Sequence, residues 1–153
     1  MKLSPVLFLV LLALFSGCAG MGKLTTASGK PEILILNKSS DSIAKCIANW
    51  APTKGQIVQS SYGNMINTSS SVDVPTGLGM TQNVGAKIVY NVVTLGNDCK
   101  VYALRFIAAS KQPLGYYQVM PESSVLTNEF NTQDAYETLQ KELEDLAQFV
   151  KSN

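Results

Sequence analysis

Histidine is absent from the 153 residues, and Arg105 is the single arginine. Without histidine the chain lacks the commonest general base and the commonest metal ligand. Ser-His-Asp and Cys-His nucleophile systems are excluded for the same reason. The three cysteines contain no C-x-x-C pair, and two thiols without histidine make a poor zinc site. There is no G-x-S-x-G, no P-loop and no G-x-G-x-x-G; Gly77-Leu78-Gly79 lacks the third glycine and reads as a loop. No cofactor and no metal site is expected. Glu142, Glu144 and Asp145 fall on one C-terminal helical segment, whereas a glycosidase pair flanks a cleft from two sides. Charge is scarce, 15% of residues with a formal net of +1. That balance offers no basic stripe, so no nucleic-acid partner is expected. No apolar run reaches the roughly 20 residues that a spanning helix needs.

The longest apolar run lies at the start. Met1-Lys2 gives a charged opening, Val6 to Phe15 is unbroken and apolar, and Ser16-Gly17-Cys18 follows. A charged start, a short apolar stretch and small residues before a cut make a secretory signal. Leu14-Phe15-Ser16-Gly17-Cys18 resembles the lipobox of bacterial lipoproteins, with phenylalanine at the third position before the cysteine. The resemblance implies removal of residues 1–17 and acylation of Cys18, now the N-terminus. Two or more acyl chains anchor stably where one binds marginally. Ala19 is not aspartate, which by the same resemblance implies sorting to the periplasmic face of the outer membrane. Cleavage would remove Lys2, leaving 11 basic and 11 acidic side chains. A neutral domain has no electrostatic hold on acidic lipids, so membrane attachment is expected through the lipid alone.

Residues 18–30 continue as AGMGKLTTASGK after the cysteine, small and polar, and read as a flexible tether. Fully extended, it would reach about 40 Å. Residues 31–153 are then expected to form one domain. Glu32 to Asn37 suits a strand. Ser39-Ser40-Asp41-Ser42 offers N-caps for a helix in which Ile43, Cys46, Ile47 and Trp50 share a face. Pro52 and Gly55 end it. Gln56 to Tyr62 reads as a strand. Asn67 to Asn83 is polar, with a weak strand near Val72-Asp73-Val74 and a loop from Pro75 to Gly79.

Ala86 to Leu95 and Cys99 to Ala108 are the clearest strands, with Gly96-Asn97-Asp98 as their turn. Pairing Leu95 with Cys99 sets Val92 against Tyr102, Tyr90 against Leu104 and Ile88 against Phe106, all largely apolar pairs. Leu114 to Met120 suggests a further strand. Asn131 to Lys151 reads as a helix capped by Asn131 or Thr132, with Tyr136, Leu139, Leu143, Leu146 and Val150 as its stripe. The expected class is α+β: a small, mostly antiparallel sheet packed by an N-terminal helix and a longer C-terminal helix.

With Cys18 assigned to lipid, Cys46 and Cys99 remain. An even pair in an exported domain predicts a disulfide. It would staple the first helix to the hairpin across a loop of roughly 50 residues, worth about 4 kcal/mol. That helix would then cover the Cys99 face. The Tyr90, Tyr102, Leu104 and Phe106 face would need the C-terminal helix or a partner. Tyr90, Tyr102, Tyr116 and Tyr117 are the candidate aromatic interaction surface; packing between strands is the plainer reading. The Cys46-Ile47-Ala48-Asn49-Trp50 helix followed by strands and a second cysteine resembles small exported proteins of Gram-negative bacteria and their prophages, which implies no activity. The expected function is a non-enzymatic binding or accessory role at the envelope, with an envelope protein as partner. An inhibitor, immunity or phage-exclusion role is the alternative. A small hydrolase is the third reading and would need a polar cleft around Arg105.

Overall fold

The computed structural model describes residues 29–126 and 133–153. The signal segment, Cys18, nearly all of the tether and the Asn131/Thr132 cap lie outside the described residues. β1 (Glu32–Ile35) leads into α1 (Ser40–Trp50) and a 3-10 turn (Ala51–Lys54). β2 (Ile57–Tyr62), β3 (Met65–Gly77), β4 (Met80–Leu95) and β5 (Asp98–Ile107) follow as a meander. β1 pairs with β5, so the five-stranded antiparallel sheet runs β1-β5-β4-β3-β2. β6 (Ala109–Lys111) and β7 (Tyr117–Val119) form a separate small hairpin. A 3-10 turn (Glu122–Leu126) comes before α2 (Gln133–Ser152). The class is α+β, as the sequence implies.

β1 and β2 sit at opposite edges, so the chain between them must cross the sheet. Four gaps of about 4.8 Å make about 19 Å. The 11 residues of α1 supply about 16 Å and the 3-10 turn about 8 Å more, enough for the crossing. Ser39 caps α1, its hydroxyl accepting from the Ser42 amide at 3.3 Å. Trp50 ends the helix, Pro52 follows, and Gly55 closes the turn at φ 73°.

Both helices pack on one face of the sheet, the inner face. Ile43, Ile47 and Trp50 of α1 join Leu139, Leu143, Leu146 and Val150 of α2 over Ile66, Ile88, Tyr90, Val92, Val101 and Ala103. Trp50 meets Tyr90 edge-on, ring centroids 6.0 Å apart. In α2, Ala135 takes the buried position expected of Tyr136, which is half-buried.

The hairpin register differs from expectation by one residue. Leu95 pairs with Asp98 and Thr94 with Cys99, across the two-residue turn Gly96-Asn97. Gly96 at φ 65° supplies the positive φ that a type II′ turn needs at its first central position. A one-residue slip turns a whole strand over. Tyr90 therefore faces inward with Cys99, Val101, Ala103 and Arg105, while Tyr102, Leu104 and Phe106 face outward, each half-buried. α2 does not cover that outer face.

The second correction concerns β3 and β4, 13 and 16 residues long. They pair from Met65–Asn91 to Gly77–Met80, through the polar stretch where only a weak strand near Val72-Asp73-Val74 and a loop from Pro75 to Gly79 were expected. Gly77, Leu78 and Gly79 all have positive φ and make the turn. The far part of this hairpin outruns β2 and β5. It builds a second, smaller core with the β6–β7 hairpin: Val74, Val84, Ala86, Ile107, Ala108, Ala109 and Tyr117.

The expected disulfide is not formed; Cys46 and Cys99 are free thiols. Cys99 is buried, its thiol donating to the Lys38 carbonyl at 3.2 Å. Cys46 is half-buried at the margin of the main core.

Candidate functional site

A polar seam runs through the inner layer between the sheet and α2. The Tyr90 hydroxyl donates to Gln56 Oε1 at 3.0 Å and lies 3.3 Å from Glu142 Oε2. Thr68 donates to the same Gln56 oxygen at 2.9 Å, and Gln56 Nε2 donates to Glu142 at 3.3 Å. Thr68, Gln56 and Tyr90 are buried, so these bonds replace the water each group loses on folding. Burial raises the Glu142 carboxyl above its ordinary value, against the pull of Arg105 and the bonds from Tyr90 and Gln56. Burial, helped by the Glu142 charge, pushes the Tyr90 phenol far up. The phenol therefore stays protonated and acts as a donor.

Arg105 follows Val101 and Ala103 on the inner face of β5 and is 9% exposed. Burial lowers its pKa, and the charges of Glu142, Tyr117 and Asp134 raise it back in part. On the side away from the main core, Arg105 helps to line a cleft of about 270 Å³. β3 contributes Val72, Val74 and Pro75; β5 adds Ile107; the β6–β7 hairpin adds Lys111 and Tyr117; α2 adds Asp134 and Thr138. Lys111 Nζ lies 3.1 Å from Asp134 Oδ2 and 5.7 Å from the centre of the Tyr117 ring. Burial pulls the Lys111 pKa down, but the Asp134 bond and the charges of Tyr117 and Asp134 outweigh it, so the net shift is upward. Burial raises the Tyr117 phenol against the pull of Lys111.

A larger, open groove of about 550 Å³ follows β2 and β3. Its polar groups largely satisfy one another: Gln59 bonds Ser69 at 2.7 Å and Asn67 bonds Ser60 at 3.0 Å. Among the described residues, no group of three or more Cys, Asp or Glu is placed to hold a metal. No helix among them is long and apolar enough to cross a membrane.

The four tyrosines singled out in the sequence do not form one surface. Tyr90 is fully buried in the seam and Tyr117 is buried beside the cleft. Tyr116 is exposed on the small hairpin. Tyr102 lies on the outer sheet face, with Lys30 Nζ 5.4 Å from its ring centre. That contact also marks where the tether joins the domain. Glu142 as the partner of Tyr90, and Lys111 and Tyr117 as neighbours of Arg105, escaped the sequence reading. The visible signal was Arg105 itself, a charge alternating with Val101, Ala103 and Ile107 on an inward-facing row.

No protein-family model and no curated protein matches the chain. Among solved structures, a TBP-like protein from Parabacteroides distasonis ATCC 8503 is similar, with a TM-score of 0.44 and 16% identity. The match covers 80% of this chain and 91% of that one.

Proposed function

We propose that the chain is an envelope lipoprotein, held at the periplasmic face of the outer membrane by acyl chains on Cys18. Its folded domain has a binding role rather than a catalytic one. One observation carries the binding reading: both α-helices lie on the inner face, and although the 3-10 turn Glu122–Leu126 packs on part of the outer face beside Gly85, large apolar side chains there remain exposed among the described residues. Leu34 is 55% exposed and Val93 40% exposed there, on either side of Lys100, with Tyr102 and Leu104 half-buried beside them. Exposed apolar side chains interleaved with Lys100 and Asn91 make a mixed surface of the kind that protein partners use. The sealed seam also supports the non-catalytic reading. Burial raises both Tyr90 and Glu142, yet neither lines the cleft.

The test has two parts. Cys18→Ser should abolish incorporation of labelled fatty acid and release the protein from membranes; unchanged labelling would overturn the anchor. A photo-crosslinking residue at Leu34 or Val93 should give a discrete adduct with an envelope protein, absent when the probe is at exposed Lys151. Equal labelling from all three positions would overturn the outer face as the binding surface.

A further inference from the structure

The tip of the β3–β4 hairpin runs against the usual chemistry of an exposed turn. Leu78 is 97% exposed and Met80 58% exposed. Leu78 also holds φ 51°, a region costly for a side chain bearing a Cβ and ordinarily filled in turns by glycine or asparagine. A large apolar residue in that place serves neither the turn nor solubility, and backbone strain of this kind points to use. Residues 74–86 carry no charged side chain. An apolar medium therefore meets the tip without stripping water from an ion. Beyond Val72 and Val84, however, the outer edges of the hairpin pair with no strand of the sheet. Unpaired backbone groups are costly in hydrocarbon, so only the tip itself suits such a medium, at the boundary between headgroups and acyl chains.

The sheet topology sends this tip and the start of the domain the same way. β4 begins at the tip with Met80 and ends at Leu95. β5 returns toward the tip end, from Asp98 opposite Leu95 to Ile107 opposite Ala86. β1 is antiparallel to β5, so the chain ahead of Glu32 is directed toward that same end. The Ala103 amide donates to the Pro31 carbonyl at 3.2 Å, and Ala103 pairs with Tyr90. Pro31 is thus level with Tyr90, about ten residues or about 34 Å from Met80 along a fully extended strand. Residues 19–30 reach about 40 Å when extended, and a leaning hairpin needs less. Cys18 and the hairpin tip therefore reach one plane.

We propose that the β3–β4 tip is a second membrane contact, seating Leu78 and Met80 in the surface of the bilayer that holds Cys18. This contact presupposes the lipid anchor proposed above and adds an orientation to it: the sheet is raised from the bilayer on its long hairpin, with the outer face turned sideways. Fluorescence quenching by brominated phosphatidylcholine tests it on the full lipidated chain in phosphatidylcholine vesicles. Trp50, the only native tryptophan, is buried and gives a constant background. Met80→Trp should lose about half of its added emission to the brominated lipid, as expected for a side chain at the headgroup–acyl boundary. Leu95→Trp, at the opposite end of β4 and 47% exposed in the wild type, should lose none. Adding Leu78→Asn to Met80→Trp should restore most of the emission. Asparagine tolerates the left-handed region, so Leu78→Asn should unfold in urea no earlier than wild type, which separates lost contact from lost fold. Equal quenching at positions 80 and 95, quenching indifferent to Leu78→Asn, or no quenching at position 80 in protein that floats with the vesicles would each overturn the tip contact alone. Protein that fails to float would overturn the anchor and the tip contact together. In intact envelopes, a photo-crosslinking residue at Leu78 should give phospholipid adducts; a discrete protein adduct in their place would assign the tip to a protein partner and overturn the membrane contact.

Discussion

Glu142 sits where three demands meet. It accepts from Tyr90 and Gln56, it faces the only arginine of the chain, and it is largely withdrawn from water. Burial outweighs the other two, so its folded-state pKa is raised. The folded protein then holds the Glu142 proton more tightly than the unfolded chain does. The contribution is complete below the ordinary carboxylate range and is lost as pH rises through the folded-state value. Compared with Glu142→Gln, the wild type should gain stability on acidification from about pH 7 to about pH 5. Urea unfolding of both proteins across that range measures it. A constant difference between them would show that the carboxyl titrates as it does in the unfolded chain. Tyr90 adds the complementary case: its phenol is held protonated, so it contributes a fixed donor throughout that pH range.

At the scale of elements, the β4–β5 hairpin decides which side chains meet the helices. The turn is two residues long, and that length sets Tyr90 beside Ala103 on the inner face and Tyr102 on the outer. Gly96 holds the turn at φ 65°, a region costly for a side chain bearing a Cβ. Gly96→Val should destabilise the domain by about 1–2 kcal/mol, measured by thermal or urea unfolding. A variant as stable as wild type would mean that packing alone fixes the register. The two helices show a division of labour. α1 with its 3-10 turn crosses the sheet and contributes Ile43, Ile47 and Trp50, whereas α2 lays Leu139, Leu143, Leu146 and Val150 beside it. Together they cover the inner face. The outer face carries alternating Lys87, Val89, Asn91 and Val93 on β4, a mixture suited to partial contact with water or a partner.

The described residues form two cores of unequal size. The main one unites both helices with the sheet, and the smaller one joins the far end of the β3–β4 hairpin to β6 and β7. Beyond Val72 and Val84 the long hairpin pairs only with itself. Its tip carries Leu78, 97% exposed. Local opening free energies follow buried contact and ladder support. Amides of Asp73, Val74, Thr76 and residues 81–83 should therefore exchange by local opening, well before those of Val101 and Ala103. Native-state hydrogen exchange measures this; equal protection in both groups would mean that the molecule unfolds as one unit. The cleft lies where the two cores adjoin, lined by Arg105 from the sheet and by Lys111 and Tyr117 from the small hairpin.

The features written locally were legible in the sequence. The Ser39 cap, the Pro52 and Gly55 stop, the stripe of α2 and the β4–β5 pair each follow from spacing within a few residues. The α+β class follows from those elements together. The β3 strand was hidden because Thr68 and Ser70 occupy inward positions between Ile66 and Val72, so the apolar alternation is broken. Thr68 is tolerated there because Gln56 supplies its bond, a partner that no periodicity reveals. The face that each strand presents depended on one residue of turn length, which composition does not encode. Arg105 could be recognised as an odd charge on an apolar row. Its place between Glu142 and the cleft could not, because β5, α2 and the β6–β7 hairpin come together only through the packed layers. Local chemistry in the chain chose the elements. Tertiary packing chose which side chains share the buried seam and the cleft, because burial and pairing are set by neighbours distant in sequence.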